Sequence, residues 1–305
     1  MAKHKKIKLD GWINLNKPAG IGSTPALGAV KRCLRPEKAG HGGTLDPLAS
    51  GVLPIALGEA TKTVAYAMDA DKDYDFTITW GENRSTEDAE GAVTATSDVR
   101  PDATQIEAAL PAFIGQISQI PPQYSAVKID GKRAYDLARA GETADIKPRD
   151  VTIFDLRLVE SAPDFARFHV VCGKGTYVRA LARDLAAHLG ACGYVSRLIR
   201  TRVGPFRLDA AIPLDFFTQG GVEPPAEGLL MPVQTVLDDI PALAVDAAEA
   251  ARLRQGMFLN FISRGHAARL PDDPTGPILA VNNGQAVAMV RYEAGTVKPE
   301  RVFNL

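Results

Sequence analysis

Short apolar runs, several alternating with polar positions at period two, predict strands at Trp12–Leu15 and around 52–57, 74–80, 151–158 and 167–172. Two stretches carry the helical period instead. Leu27, Val30 and Leu34 form one stripe, with Thr24 as candidate cap and Pro25 at the first helical position. Val178, Leu181, Ala182, Leu185 and Leu189 form the other, opened by Thr176 and stopped by Gly190. Helices are also expected near 104–115 and 246–255, and the polar stretch 85–104 reads as turns. The segment 218–228, TQGGVEPPAEG, is the best linker candidate. After it, Asn283-Gly284 between Ile278–Val281 and Ala286–Val290 predicts a hairpin, so the chain is expected to end in a small β-rich domain.

At 305 residues there is room for one large core and such an appended domain. No run approaches eighteen apolar residues, so no membrane span is expected, and the basic N-terminus lacks the apolar run of a secretory signal. Cys33, Cys172 and Cys192 are odd in number and widely spaced, which makes neither a disulfide framework nor a metal ribbon. These features together predict a cytoplasmic enzyme or binding protein. The net charge of −1 hides a segregation: residues 1–38 carry nine Lys or Arg against Asp10 and Glu37, and 167–207 carry eight against Asp184 alone. Basic blocks on a near-neutral chain can hold a polyanion on one face, although solvated surface accounts for them equally well.

Two signatures fail on spacing. Gly173-Lys174-Gly175-Thr176 lacks the full phosphate-loop pattern, and the glycines at 40–43 do not complete G-x-G-x-x-G. The five histidines form no metal-ligating pair, so no metal is expected. Asp46 is the more informative residue. It lies in GHGGTLDPLASGVLP, where Gly42 and Gly43 permit unusual backbone angles and Pro47 steers Asp46 out of the helical region. A carboxylate held on such a loop is either a turn former or a reactive group. Arg179 falls in the first turn of its helix, facing the positive end of the dipole, a placement that calls for an anion. A phosphate or a buried carboxylate would serve.

Several segments, in order over roughly 11–207, resemble the bacterial TruB-type pseudouridine synthases: GWINLNKPAGIGST, GHGGTLDPLASGVLPIALGEATK, DYDFTITWG, PPQYSAVKIDGKRAYDLARAGE, CGKGTYVRALARDLAAHLG and LIRTRVGPF. The resemblance implies an α+β fold, with a mixed, mostly antiparallel central sheet and flanking helices, followed by a small PUA-like β domain. It places the catalytic domain at 1–238, with a thumb loop at about 121–150, and the PUA-like domain at 239–305. It further implies conversion of uridine 55 in the tRNA T loop to pseudouridine, without a cofactor or an obligatory protein partner.

For that reaction the target base must be extruded from the folded RNA loop. The resemblance makes Asp46 the nucleophile, at the ring or the ribose or by a glycal route, with Arg179 pairing to it. Tyr74 would stack on the extruded uracil, His41 would fill the vacated space, and Leu198 would wall the pocket. Lys17, Lys128, Lys132, Arg133, Lys174, Arg183 and Arg202 are the expected substrate contacts. Two other readings share these residues. One is the guide-RNA-dependent relative, against which the long segment KIDGKRAYDLARAGETADIKPRDV argues; the other is an RNA-folding module that has lost catalysis.

Overall fold

The alternating runs pair into a mixed sheet of ten strands among the described residues. The structure, a computed structural model, describes residues 6–125, 127–129, 132–139, 144–219 and 228–305. Along the sheet run Ile212–Pro213, Gly11–Lys17, Ser50–Leu57, Gly193–Val203, Lys72–Trp80, Phe165–Cys172, Arg149–Ala162 and Gly115–Gln119. Two of these contacts are parallel, Gly11–Lys17 with Ile212–Pro213 and Ser50–Leu57 with Gly193–Val203; the others are antiparallel. The parallel contact at Ser50–Leu57 matters most for function. It lays the strand leaving the Asp46 loop beside the strand that carries Leu198 and Arg200, with Ile199 opposite Ser50.

Period-two patterning puts Tyr74, Phe76, Ile78 and Trp80 on one face of their strand, where they meet Phe168, Val170 and the apolar side of the Val178–His188 helix. Phe76 and Phe168 stack with centroids 5.1 Å apart. The Ser23–Leu34 helix buries Ala26, Val30 and Leu34 against Ile13, Leu53 and Ile55.

Both expected helix caps are replaced. Gly22 occupies the cap position before Ser23–Leu34, so Thr24 lies inside the helix. Tyr177 caps Val178–His188, and the Thr176 hydroxyl donates back to Gly173 O at 3.0 Å. The expected helix near 104–115 is shorter: Asp102 caps Ala103–Ala109 with a capping box, and Pro111, which cannot continue an α-helix, tightens 110–113 into a 3₁₀ turn. Within 85–104, Val93–Thr96 is a strand paired with Glu82–Arg84. Of the linker candidate, residues 220–227 lie outside the described residues.

A second sheet of five strands follows, from Ala242–Ala244 to Thr296–Val302. Its hairpin turns at Asn283 and Gly284, with φ of 48° and 77°, the twist that an Asn-Gly pair supplies at low cost. Its other face shares a core with the main sheet. Trp12, Val203 and Phe206 pack with Val233 and Leu237 against Leu279, Met289 and Phe303. No helix among the described residues is long and apolar enough to cross a membrane.

Candidate active site

The loop from Gly42 to Ala49 is fixed from every side by bonds that local sequence does not announce. Gly42 N–H donates to Pro54 O and Gly20 N–H to Pro47 O, both at 2.8 Å. The Ser23 hydroxyl takes the Leu45 amide at 2.8 Å and returns a bond to Leu45 O at 2.9 Å, tying the loop to the first turn of the Ser23–Leu34 helix. Arg200, 1% exposed, donates Nε to Val52 O, Nη1 to Thr44 O and Nη2 to Gly43 O. Gly43 has φ of +116°, as its place in the loop suggested. Gly42 is small for a different reason: a Cβ there would sit 2.9 Å from that of Ala67.

Lys17 is the clearest departure from expectation. It is fully buried, and its ammonium donates to Pro18 O, Ile21 O and Ala49 O at 2.8, 2.6 and 2.6 Å. All three protons are used, so no donor is left for substrate; its task is to bind the end of the Asp46 loop to the Pro18–Ile21 turn. Burial pushes its pKa down to about 8, the Asp46 carboxylate opposing and Arg200 adding to the shift. The native protein therefore loses this ammonium near pH 8, where an exposed lysine keeps its proton. Lys17→Met is expected to slow the chemical step roughly 10²-fold, the usual cost of a small misplacement, with RNA affinity little changed. The unsubstituted chain should lose single-turnover rate above about pH 8. A flat profile from pH 7 to 9.5, together with an active methionine variant, would show that the clamp is dispensable.

Asp46 stands at the head of this loop with its side chain about a third exposed (34%). Arg179, 4% exposed, donates Nε to Asp46 Oδ2 at 2.9 Å, Nη1 to Thr86 O and Nη2 to Tyr124 O, each also at 2.9 Å. One planar side chain thus ties three segments together, and the carboxylate is held by one oxygen. Asp88, also buried, brings Oδ2 to 3.7 Å from the same Nε. Its other oxygen accepts from the Thr86 hydroxyl and from Glu90 N–H. The anion that Arg179 calls for is therefore a pair of carboxylates, one open to solvent and one sealed. A buried guanidinium between two carboxylates, with its remaining N–H groups on carbonyls, has the satisfied geometry that such a charge needs.

Tyr74 and Leu198 join Leu45 in the apolar cluster beneath the loop. Burial raises the Tyr74 phenol pKa, with Arg200 opposing, so the ring stays neutral. His41 pairs with Ile55 at the near edge of the sheet. Burial and then the Arg200 charge lower its pKa, and its Nδ1 is enclosed without a partner.

The expected phosphate contacts fare differently. Arg202 makes a bidentate pair with Asp73, Nε to Oδ2 at 2.9 Å and Nη2 to Oδ1 at 2.7 Å. Arg183 bridges Glu87, Asp184 and Ile120 O. Both side chains are absorbed in internal bonds that fix the strand and loop around the site. Lys174 is exposed, 3.2 Å from Asp69. The side chains of Lys128, Lys132 and Arg133 lie outside the described residues. Among the described residues no cluster of His, Cys, Asp and Glu could hold a metal.

Sequence reasoning missed Asp88 and Arg200. Asp88 carried no signal, being one acid in a polar turn. Arg200 carried one, since it shares the buried phase of its strand with Leu198.

Comparison with known proteins shows the family. Residues 31–178 match the family model described as TruB family pseudouridylate synthase (N terminal domain). The chain is 50% identical over its whole length to all of the tRNA pseudouridine synthase B of Caulobacter vibrioides. It is 49% identical to that of Rhodospirillum rubrum, over 97% of both chains. Its fold resembles a chain of a Cbf5-Nop10-Gar1 complex, with a TM-score of 0.72 and 25% identity, over 96% of this chain and 84% of that one. A chain of an H/ACA RNP bound to a substrate RNA gives a TM-score of 0.72 at 23% identity, over 97% and 85%.

Proposed function

The chain belongs to the TruB family of pseudouridylate synthases, and on that premise we propose that it isomerises uridine 55 of the tRNA T loop, with Asp46 as nucleophile. The observation that carries this reading is the solvent-facing carboxylate of Asp46 on a loop whose backbone is pinned on all sides, oriented by a buried Arg179. Such fixing is how an active site meets the entropy of reaction beforehand.

The reaction balances within the substrate. The bond from N1 to C1′ breaks, the uracil turns, a bond from C5 to C1′ forms, the C5 proton leaves to solvent and N1 takes up a proton in its place; any bond made by Asp46 breaks again before release. No oxidant, reductant or transferred group enters. The residues supply position and charge: Asp46 attacks, Tyr74 and Leu198 offer an apolar wall to the extruded ring, and neutral His41 takes the place the base leaves. A carboxylate in this position serves attack at the ring, attack at the ribose and the glycal route alike.

Residues 1–238 would carry this chemistry without a protein partner, which separates the chain from guide-RNA-dependent relatives. The test uses the purified chain alone with unmodified tRNA transcript labelled with tritium at uridine C5. Stoichiometric tritium release, absent when position 55 of the transcript is changed to cytidine, is the expected result. No release, or release that persists in the cytidine transcript, would refute the assignment.

A further inference from the structure

Among the described side chains, the cations first expected to hold RNA already have partners: Lys17, Arg183 and Arg202 bond within the protein, and exposed Lys174 faces Asp69. The Ser23–Leu34 helix shows the opposite condition. Lys31 and Arg32 are exposed and Arg35 is half-buried, and none of the three takes part in an ion pair among the described residues. Thr24, Gly28, Lys31, Arg32 and Arg35 follow one another at helical spacing along one side, opposite buried Ala26, Val30 and Leu34. The stripe begins at the active loop, because Ser23, one residue before Thr24, holds Leu45. It ends about 16 Å away, eleven residues at the helical rise.

Its chemistry changes along that length. Near the loop the side is small, and at Gly28 a Cβ would meet Arg32 Nη1 at 3.3 Å, so the guanidinium lies back along the bare face. At the far end Arg35 occupies the C-cap in the left-handed conformation, φ 52° and ψ 44°. Glycine holds that position with less strain. Cations suit a helix C-terminus, but the dipole is satisfied by one or two of them and does not call for an arginine at a strained cap. A smooth face that starts beside a reactive carboxylate and ends in unpaired cations fits a chain of phosphates.

We propose that this side of the Ser23–Leu34 helix is a docking surface for the phosphate backbone of the substrate RNA, with Lys31, Arg32 and Arg35 gripping it about 10–16 Å along the helix from Thr24. The proposal rests on the reading of the chain as an RNA-modifying enzyme. It gives the enzyme a hold on RNA that is separate from the chemistry, so affinity and the rate of the bound complex should separate.

The test is the triple variant Lys31→Ala, Arg32→Ala, Arg35→Gly in the full chain. Alanine favours the helix and glycine suits the left-handed cap, so folding is preserved. Affinity for tRNA transcript is measured across a salt series, beside single-turnover tritium release at saturating RNA. The slope of log affinity against log salt is expected to fall by about two to three, near 0.9 for each lost phosphate contact. The rate at saturation should remain that of the unsubstituted chain. Unchanged affinity and slope would overturn the proposal, and so would a slower saturated rate at unchanged slope, which would place these residues in the chemistry. The unsubstituted chain tests the underlying reading independently. If it binds tRNA but releases no tritium, the enzymatic assignment fails, and the salt slope still decides the docking surface.

Discussion

Asp46→Asn is expected to bring turnover below detection while tRNA affinity stays within about threefold, a change under ~0.7 kcal/mol. The substitution is close to silent in shape. Arg179 Nε donates one bond to Asp46 Oδ2, and an asparagine carbonyl oxygen can accept it in the same place. The loop itself is held by Lys17, Ser23 and Arg200 through backbone atoms, none of which the substitution touches. What disappears is the anion, and with it the nucleophile, for an amide cannot attack carbon in its stead. Single-turnover tritium release with enzyme in excess, alongside equilibrium binding, reads the two quantities apart. Measurable turnover in an asparagine preparation shown by mass to be free of deamidated protein would remove Asp46 from the reaction. A parallel collapse of affinity would mean that the carboxylate serves binding.

Period and turn chemistry made the strands, the Asn283-Gly284 hairpin and the Val178–His188 helix legible from sequence. Helix position alone showed that Arg179 needed an anion. The caps were misread because sequence does not fix where a helix starts or which backbone group a nearby hydroxyl takes. The first helix begins at Ser23, ahead of the expected cap Thr24, with Ser23 bonded to Leu45, 22 residues on, while Thr176 turns back to Gly173. Propensity prices the local option only. The roles of Lys17 and Arg200 were hidden for a related reason. Their partners are backbone carbonyls, and a carbonyl has no residue type to read. Charge counting then treated every cation as a free one, so Arg183 and Arg202 looked available for phosphate although their carboxylates, Glu87 and Asp73, lie about a hundred residues away in sequence. Lys31 and Arg32, near the C-terminal end of the Ser23–Leu34 helix, make no ion pair among the described residues, and sequence position alone cannot tell such a cation from a paired one.

Arg179→Lys is expected to cut the single-turnover rate roughly 10²- to 10³-fold, in the range for lost positioning and lost preorganised charge, with tRNA affinity nearly unchanged. The charge is kept but the fork is lost. An ammonium at the end of a flexible stem cannot reproduce three donors in one plane, directed at Asp46 Oδ2, Thr86 O and Tyr124 O. Whichever partner it keeps, another segment of the site is released, and the carboxylate loses its fixed direction. Removing the charge should do more. Arg179→Met leaves sealed Asp88 without its cation and two carbonyls without donors, a loss on the order of 3–5 kcal/mol of stability for a broken buried pair. The methionine variant should therefore melt well below the lysine one, and a double substitution with Asp88→Asn should recover part of the difference. At 4% exposure Arg179 has little surface to offer a phosphate, so the salt slope of binding should not move. Should Arg179→Lys instead weaken binding with a matching loss of salt slope, yet react at the normal rate once saturated with RNA, Arg179 would be a phosphate clamp. Its bond to Asp46 would then be a feature of the free enzyme that the RNA displaces.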